Sequence, residues 1–201
     1  MSKADLFVED RAHEEFLKNM LSRLAQEEAV TLGIQIRSAR GGHPKALGEF
    51  SRYQKALLGG VADLSVPDLV VVAIDANCSS FSSARTAIEA SVEAPLRQLT
   101  VIACPDPHVE RWYMADPDSF RKVVGVRPQP GKRKCERDLY KTMLSKAISQ
   151  GGHPPTLGGI EFAREIVDAM DLYRAGKSEA SLRHFVDDAR GVLKRLGAAR
   201  G

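Results

Sequence analysis

The chain has 201 residues, 43% hydrophobic and 27% charged, which excludes disordered, collagen-like and low-complexity classes. Its length suits one domain or a domain with an appendage. The net charge of +3 is too small to indicate nucleic acid by itself, but eight basic and two acidic residues between Arg121 and Lys141 give a local +6 against −3 elsewhere. One basic face on a mildly acidic body is a phosphate-contact footprint, with a solvated surface loop as the competing reading.

The run LFVED predicts a buried strand over 5–9 that ends in Glu9. From Arg11 to Ala29, apolar residues at Ala12, Phe16, Met20, Leu21, Leu24 and Ala25 have helical spacing. TLGIQIRS alternates and predicts a second strand over 31–37, nearer an edge. GGHP at 41–44 reads as a turn, with Pro44 opening a helix to about Leu58. DLVVVAID, 68–75, is apolar on both faces and predicts the central strand, ending in Asp75. A Ser-rich loop and a helix over about 82–94 follow, then a fourth strand over 99–104. Asp106-Pro107 and Asp116-Pro117 each resemble an N-cap followed by a first-turn proline, so two short helices are expected. After the loop VRPQPGKRK, helical patterns cover about 136–149, 159–175 and 178–196, the last with Ser178 as cap.

This order predicts an α/β fold: a mainly parallel sheet with helices on both faces and a helical C-terminal extension. The best boundary divides 1–125 from 126–201, a basic loop and helices packed on the core. GGHPKALG (41–48) and GGHPPTLG (151–158) are near-copies with unlike flanks. Each is read as a turn into a helix, whose N-terminus is also able to hold phosphate. No apolar run reaches the 18 residues of a membrane helix, and the N-terminus lacks a signal-peptide pattern. Cys78, Cys104 and Cys135 have no CxxC spacing, which argues against a zinc knuckle or a disulfide framework and fits a reducing cytoplasm. Cys78 reads as a small buried residue, and Trp112 and Tyr113 as core.

Ligands of open α/β sheets bind beyond the carboxyl ends of the strands. The predicted elements place Glu9, Asp75 and Glu110 there, with Asn77 two residues after Asp75. These are hard oxygen donors of the type that holds Mg²⁺ or Mn²⁺, and carboxylates converging on such an ion suit phosphoryl chemistry. Taken singly, each acid also reads as a cap for the next helix. Arg85, ten residues after Asp75, and Arg40 and Lys45, which flank the first GGHP, are candidates to meet a phosphate. Lys132, Arg133, Lys134 and Arg137 would contact a nucleic-acid backbone.

The stretches LFVEDRAHEEFL, the GGH segment, VVVAIDANCSS and CPDPHVERWYMADP resemble the TOPRIM (topoisomerase–primase) domain. Over residues 5 to about 125 the likeness is to small bacterial TOPRIM-related families of poorly known function and to the nuclease half of OLD-family nucleases. The resemblance implies a Mg²⁺-dependent site in which Glu9 is a metal ligand or general acid/base, Asp75 with Asn77 holds metal, and Glu110 completes the set. The sequence departs from the pattern at three places. Asn77 replaces a second Asp, Asp10 stands where a Gly is usual, and His13, with Glu14 beside it, takes the place of a further acid. Asp10 or Glu14 would compensate for the charge lost at Asn77. The implied activity is a nuclease acting on nucleic-acid phosphodiesters, in a bacterial defence system with an ATPase partner encoded nearby. The alternatives are a non-catalytic TOPRIM-like module that binds a partner protein, and a metal-dependent phosphotransferase on a small phosphorylated substrate.

Overall fold

The computed structural model describes residues 1–39, 43–60, 64–131, 133–136 and 138–199, without the side chains of His43 and Pro44. Four strands, β1 (Ser2–Val8), β2 (Leu32–Ser38), β3 (Leu69–Ala73) and β4 (Thr100–Ala103), form one all-parallel sheet in the order β2-β1-β3-β4. The α/β expectation is met. All five residues of β3 are buried, as a strand covered on both faces requires, while β2 at the edge is mostly half-buried. β1 begins three residues earlier than its apolar run suggests. Pairing decides the boundary, because Ser2 N–H already donates to Thr31 O and Lys3 N–H to the Asp68 carboxylate.

β1 leads through α1 (Arg11–Glu27) to β2 on one side, and β3 leads through α3 (Phe81–Ala90) to β4 on the other. The chain therefore reverses its lateral direction between β1 and β3. That pair of carboxyl ends is the switch point where open parallel sheets form crevices. α2 (His43–Leu58) and α3 cover one face through Ala46, Phe50, Leu57 and Ile88. α1 covers the other, and the C-terminal helices close over it.

Those helices are α4 (Glu110–Tyr113), α5 (Pro117–Val124), α6 (Leu139–Gln150), α7 (Ala163–Ala169), α8 (Leu172–Ser178) and α9 (Ala180–Ala198). Leu182, Phe185, Val186, Ala189, Val192 and Leu193 of α9 join the same hydrophobic core as Leu6, Phe16 and Trp112. The segment after residue 125 is thus packed on the sheet and shares its core. Trp112 and Tyr113 are fully buried, as expected. Trp112 Nε1–H donates to Ser181 Oγ and Tyr113 O–H to Ala12 O, so α4 is pinned between α9 and the start of α1.

Three local expectations are corrected. Asp106-Pro107 is a cis bond that caps nothing, and the next helix starts only at Glu110, because the Asp106 carboxylate pairs with Lys134. The single pattern over 159–175 is two helices, since Asp171 accepts from Arg174 N–H and starts a new one. The Ser178 hydroxyl donates to Ala115 O instead of capping α9. The second near-copy segment and the glycine that follows it turn the chain at two positions that side chains would obstruct. A Cβ on Gly151 would lie 2.0 Å from Val124 O, and one on Gly159, at φ +100°, would lie 2.8 Å from Ile148. It leads into one 3₁₀ turn, Ile160–Phe162, before α7.

Candidate functional site

At the switch point the loops after the strands continue to pair. Glu9 N–H donates to Ala73 O, Ile74 N–H to Ala103 O, Ala76 N–H to Pro105 O and Asn77 N–H to Pro107 O. This zipper fixes the direction in which Glu9, Asp75 and His108 leave the sheet. Glu9 and Asp75 share one edge: Glu9 Oε2 accepts from Asp75 N–H at 3.2 Å.

The centre of the site is His13, in the first turn of α1 and wholly buried. Asp10 caps α1 by accepting from His13 N–H, and the same Oδ1 accepts from His13 Nδ1–H at 2.9 Å. On its other side, His13 Nε2 faces Asp75 Oδ1 at 3.0 Å, off the line of a full hydrogen bond. Both ring nitrogens face carboxylate oxygens, an arrangement that favours the imidazolium. Burial alone would push His13 down, but the charge of Asp75 and the hydrogen bond to Asp10 outweigh it and hold its pKa well above 6.5. Burial would raise Asp10 and Asp75, and the same imidazolium keeps both below 3.8.

The chain of groups continues outward. Asp75 Oδ2 accepts from His108 Nδ1–H at 3.0 Å. That bond, against the opposing effect of partial burial, lifts His108 above 6.5. No hydrogen bond engages His108 Nε2 among the described residues. The result is a line Asp10–His13–Asp75–His108, buried at His13 and partly open at His108.

Glu110 stands beside this line. It is 2% exposed, yet its side chain makes no hydrogen bond or ion pair with another residue among those described. Burial, then the charge of Asp75, pushes its pKa up. It lines a cleft of about 270 Å³ with Asp10, Arg11, Ala12, Lys141, Leu157, Gly158 and Ile160. The second near-copy of GGHP therefore contributes Leu157 and Gly158 to the cleft wall.

The other expected residues divide clearly. Asn77 sits at φ +51° and its amide donates to Asp75 O, so it shapes the turn. Glu14 is half-buried in α1 and makes no side-chain bond among the described residues. Lys45 is exposed in the first turn of α2. Arg85 is committed to Glu89 and Asp188 and lines a separate cleft against β4. Arg40, Lys132 and Arg137 lie outside the described residues. Lys134 reaches the site, pairing with Asp106 at 2.6 Å and donating to Ser79 O. Arg133 is exposed and pairs with Glu136. One group escaped the sequence reading as a site residue: His108 was signalled only by its place just after the fourth strand. Asp10 entered that reading only as an acid that would compensate at Asn77, not as a partner of His13.

The cysteine reading is corrected. A disulfide joins Cys78 to Cys135, with Cα atoms 4.8 Å apart, and both residues are exposed. Spacing gave no sign of it, because the pair forms only when the basic segment folds back over the loop after β3. Cys104 is buried and free, its thiol pushed up to about 12 by burial and the nearby Asp75.

A Mg²⁺ or Mn²⁺ centre of the kind the resemblance implies does not fit this arrangement. Both Asp75 oxygens face imidazoles, and among the described residues no three His, Cys, Asp or Glu side chains converge to hold an ion.

Fold and site together define an α/β protein with a buried acid–imidazole line at the switch point of a parallel sheet. Residues 8–188 match the family described as Domain of unknown function (DUF4276), and the chain belongs to that family. No curated protein and no solved structure matches it. Among the described residues, no helix is long and apolar enough to cross a membrane.

Proposed function

We propose that this chain hydrolyses phosphodiester bonds in nucleic acid by acid–base chemistry centred on His108. The observation that carries this reading is the line Asp10–His13–Asp75–His108. Asp75 holds His108 Nδ1–H, so the tautomer is set and Nε2 is the group left for substrate. The hydrogen bond to Asp75 raises His108 and so favours its protonated form, which suits a general acid. In the step, a water oxygen forms the new P–O bond and the ester P–O bond breaks. The leaving oxygen takes the proton of His108 Nε2, and a proton from the attacking water restores it. His13, locked between two carboxylates, positions Asp75 and does not touch substrate.

The choice of a polyanionic substrate draws support from the basic segment. Lys134 stands on the loop that carries Asn77, beside the site, and Arg133 is exposed next to it. The TOPRIM likeness, the defence setting and the ATPase partner remain parts of the proposal. A second reading, a non-catalytic module docked on such an ATPase, draws on Asn77 and on the engaged Asp75.

The test is cleavage of labelled DNA and RNA by the purified chain, by His108→Asn and by Asp75→Asn, in EDTA and with added Mg²⁺ or Mn²⁺. The acid–base reading expects cleavage in EDTA and its loss in both variants. Cleavage only with added metal would replace it with the metal-dependent nuclease. Cleavage under no condition, with a stable ATPase complex on co-expression, would leave the docking module.

A further inference from the structure

The geometry points to the cleft beside His108 as a binding site for one nucleotide unit, with its phosphate at the start of α1 and Lys141 and its sugar or base donors on Glu110. The inference takes its substrate class from the phosphodiester reading but stands on separate residues. Its first support is the N-terminus of a 17-residue helix. The first N–H groups of a helix have no partner within it, and the aligned peptide dipoles favour an anion there. Asp10 takes up the N–H of His13, and its backbone carbonyl that of Glu14. The N–H groups of Arg11 and Ala12 are left, and both residues line the cleft.

Two cations stand at the same mouth and are only loosely held. Arg11 lies 3.5 Å from Glu15, and Lys141 lies 3.9 Å from Asp10, with both cationic side chains more than half exposed. A phosphate arriving at the helix start meets both. The Asp10 carboxylate is partly offset by His13, which it shares with Asp75, so it opposes the anion less than its position suggests.

The second support is independent of the helix. Glu110 is 98% buried, faces the cleft and has no side-chain partner among the other described residues. A carboxylate so placed costs free energy unless a donor reaches it. Among the described residues only its own backbone N–H bears on it, and sugar hydroxyls or base N–H groups would supply the remaining donors. The third support is apolar. Leu157, 43% exposed, and Ile160 give the cleft an apolar ledge. A ring laid on that ledge would shield both.

Size narrows the ligand. Small-molecule sites span about 300–1,000 Å³, and this cleft, at about 270 Å³, lies at the small end and has room for no more than one nucleotide unit. The bond cut by His108 would therefore lie next to the bound unit. The charge of Glu110 and that of Lys141 both act on His108, which places the cleft beside the proton donor.

The experiment is calorimetric titration of the full chain in EDTA with adenosine monophosphate, adenosine and inorganic phosphate in turn. Adenosine monophosphate should bind at least about tenfold more tightly than either fragment. Lys141→Ala should weaken the nucleotide about tenfold and leave adenosine unchanged. Glu110→Gln should weaken nucleotide and adenosine several-fold and leave phosphate unchanged. Leu157→Ser, at an exposed position, serves as the variant that keeps the fold, and it should weaken adenosine alone and in the nucleotide. If the nucleotide binds no better than phosphate, or the cleft variants bind it unchanged, the site is not there. Nucleotide binding without any cleavage would retain the site and remove the hydrolase; cleavage that depends on His108 without nucleotide binding would do the reverse.

Discussion

Two buried acids, Asp116 and Glu110, are each 2% exposed and have opposite surroundings. Asp116 is saturated. Its Oδ1 accepts from Ser119 N–H and Arg174 Nε–H, and its Oδ2 from Asp171 N–H and Arg174 Nη2–H. Burial would raise it, but those donors hold its pKa down at about 2. Glu110 has none of these and is pushed up. Asp116 joins α5 to α8 and has no capacity left for a ligand. Glu110 receives no donor from any other described residue and faces a cleft. Burial alone does not separate structural from functional charge; the degree of satisfaction does.

The Asp10–His13–Asp75–His108 line combines the two conditions, saturated within and open at its end. The largest expected effect follows from breaking its inner part. His13→Ala removes the buried cation shared by the buried Asp75 and the part-exposed Asp10, and loss of one partner of a buried pair costs about 3–5 kcal/mol. Urea unfolding should show this as a lower midpoint at unchanged slope. Asp116→Ala should cost less, about 1–3 kcal/mol, because Arg174 is half exposed and can return to water. If His13→Ala proves milder than Asp116→Ala, the line is not the tightly coupled unit described above.

The same line predicts a pH profile. Asp10 and Asp75 are lowered in the fold, so their contribution is complete above 3.8 and is lost as pH falls through their folded values. His13 is raised, so its contribution is complete below 6.5 and is lost as pH rises toward its folded value. The cluster should therefore stabilise most between pH 3.8 and 6.5 and weaken on the alkaline side. Denaturant midpoints measured from pH 4 to 9 should fall above 6.5 in the unaltered chain. His13→Asn should flatten that fall, and an unchanged alkaline slope would mean that His13 is neutral.

Glu110→Gln offers the opposite sign. Removing an unsatisfied buried charge should leave stability unchanged or raise it by about 1 kcal/mol, while it weakens ligand binding. The melting temperature should rise by a few degrees, on the order of 2–4 °C per kcal/mol for a chain of this size. Destabilisation by more than about 1 kcal/mol would show that Glu110 has a structural partner after all.

Much of the frame was legible from the residues. The run LVVVA is apolar at every position because β3 is central, and alternation in LGIQIRS marked the edge strand. Those two facts, with the helical spacing between them, were enough to put Glu9 and Asp75 on one edge. What could not be read was the partnership across the edge. His13 looked like a substitute for an acid at a metal site, but it is the cation that engages Asp75. Its role depends on the first turn of α1 reaching across to β3, which no local spacing records. The Cys78–Cys135 bond and the cleft wall at Leu157 were hidden for the same reason, since each joins segments far apart in the chain.

The smallest expected effect concerns the basic segment, where the comparison of satisfied and unsatisfied charge also applies. Arg133 and Lys134 are not equivalent. Lys134 is engaged by Asp106 and Ser79 O, with about a third of its side chain exposed, whereas Arg133 is 73% exposed and held only by neighbouring Glu136. An ion pair that must be broken before a phosphate can be met returns little net affinity, so Arg133 should contribute more of the salt-dependent binding than Lys134. Removing one cation that meets a phosphate reduces the slope of log K against log salt by about 0.7–0.9. Arg133→Ala should lower the slope for a short oligonucleotide by close to one such unit, and Lys134→Ala by less. Lys132→Ala, Arg133→Ala and Lys134→Ala combined should lower it by no more than about three. Fluorescence anisotropy from 50 to 200 mM salt resolves these steps. Equal slopes in all variants would make the segment a solvated loop, and a larger effect from Lys134 would mean that its pairing with Asp106 opens when substrate arrives.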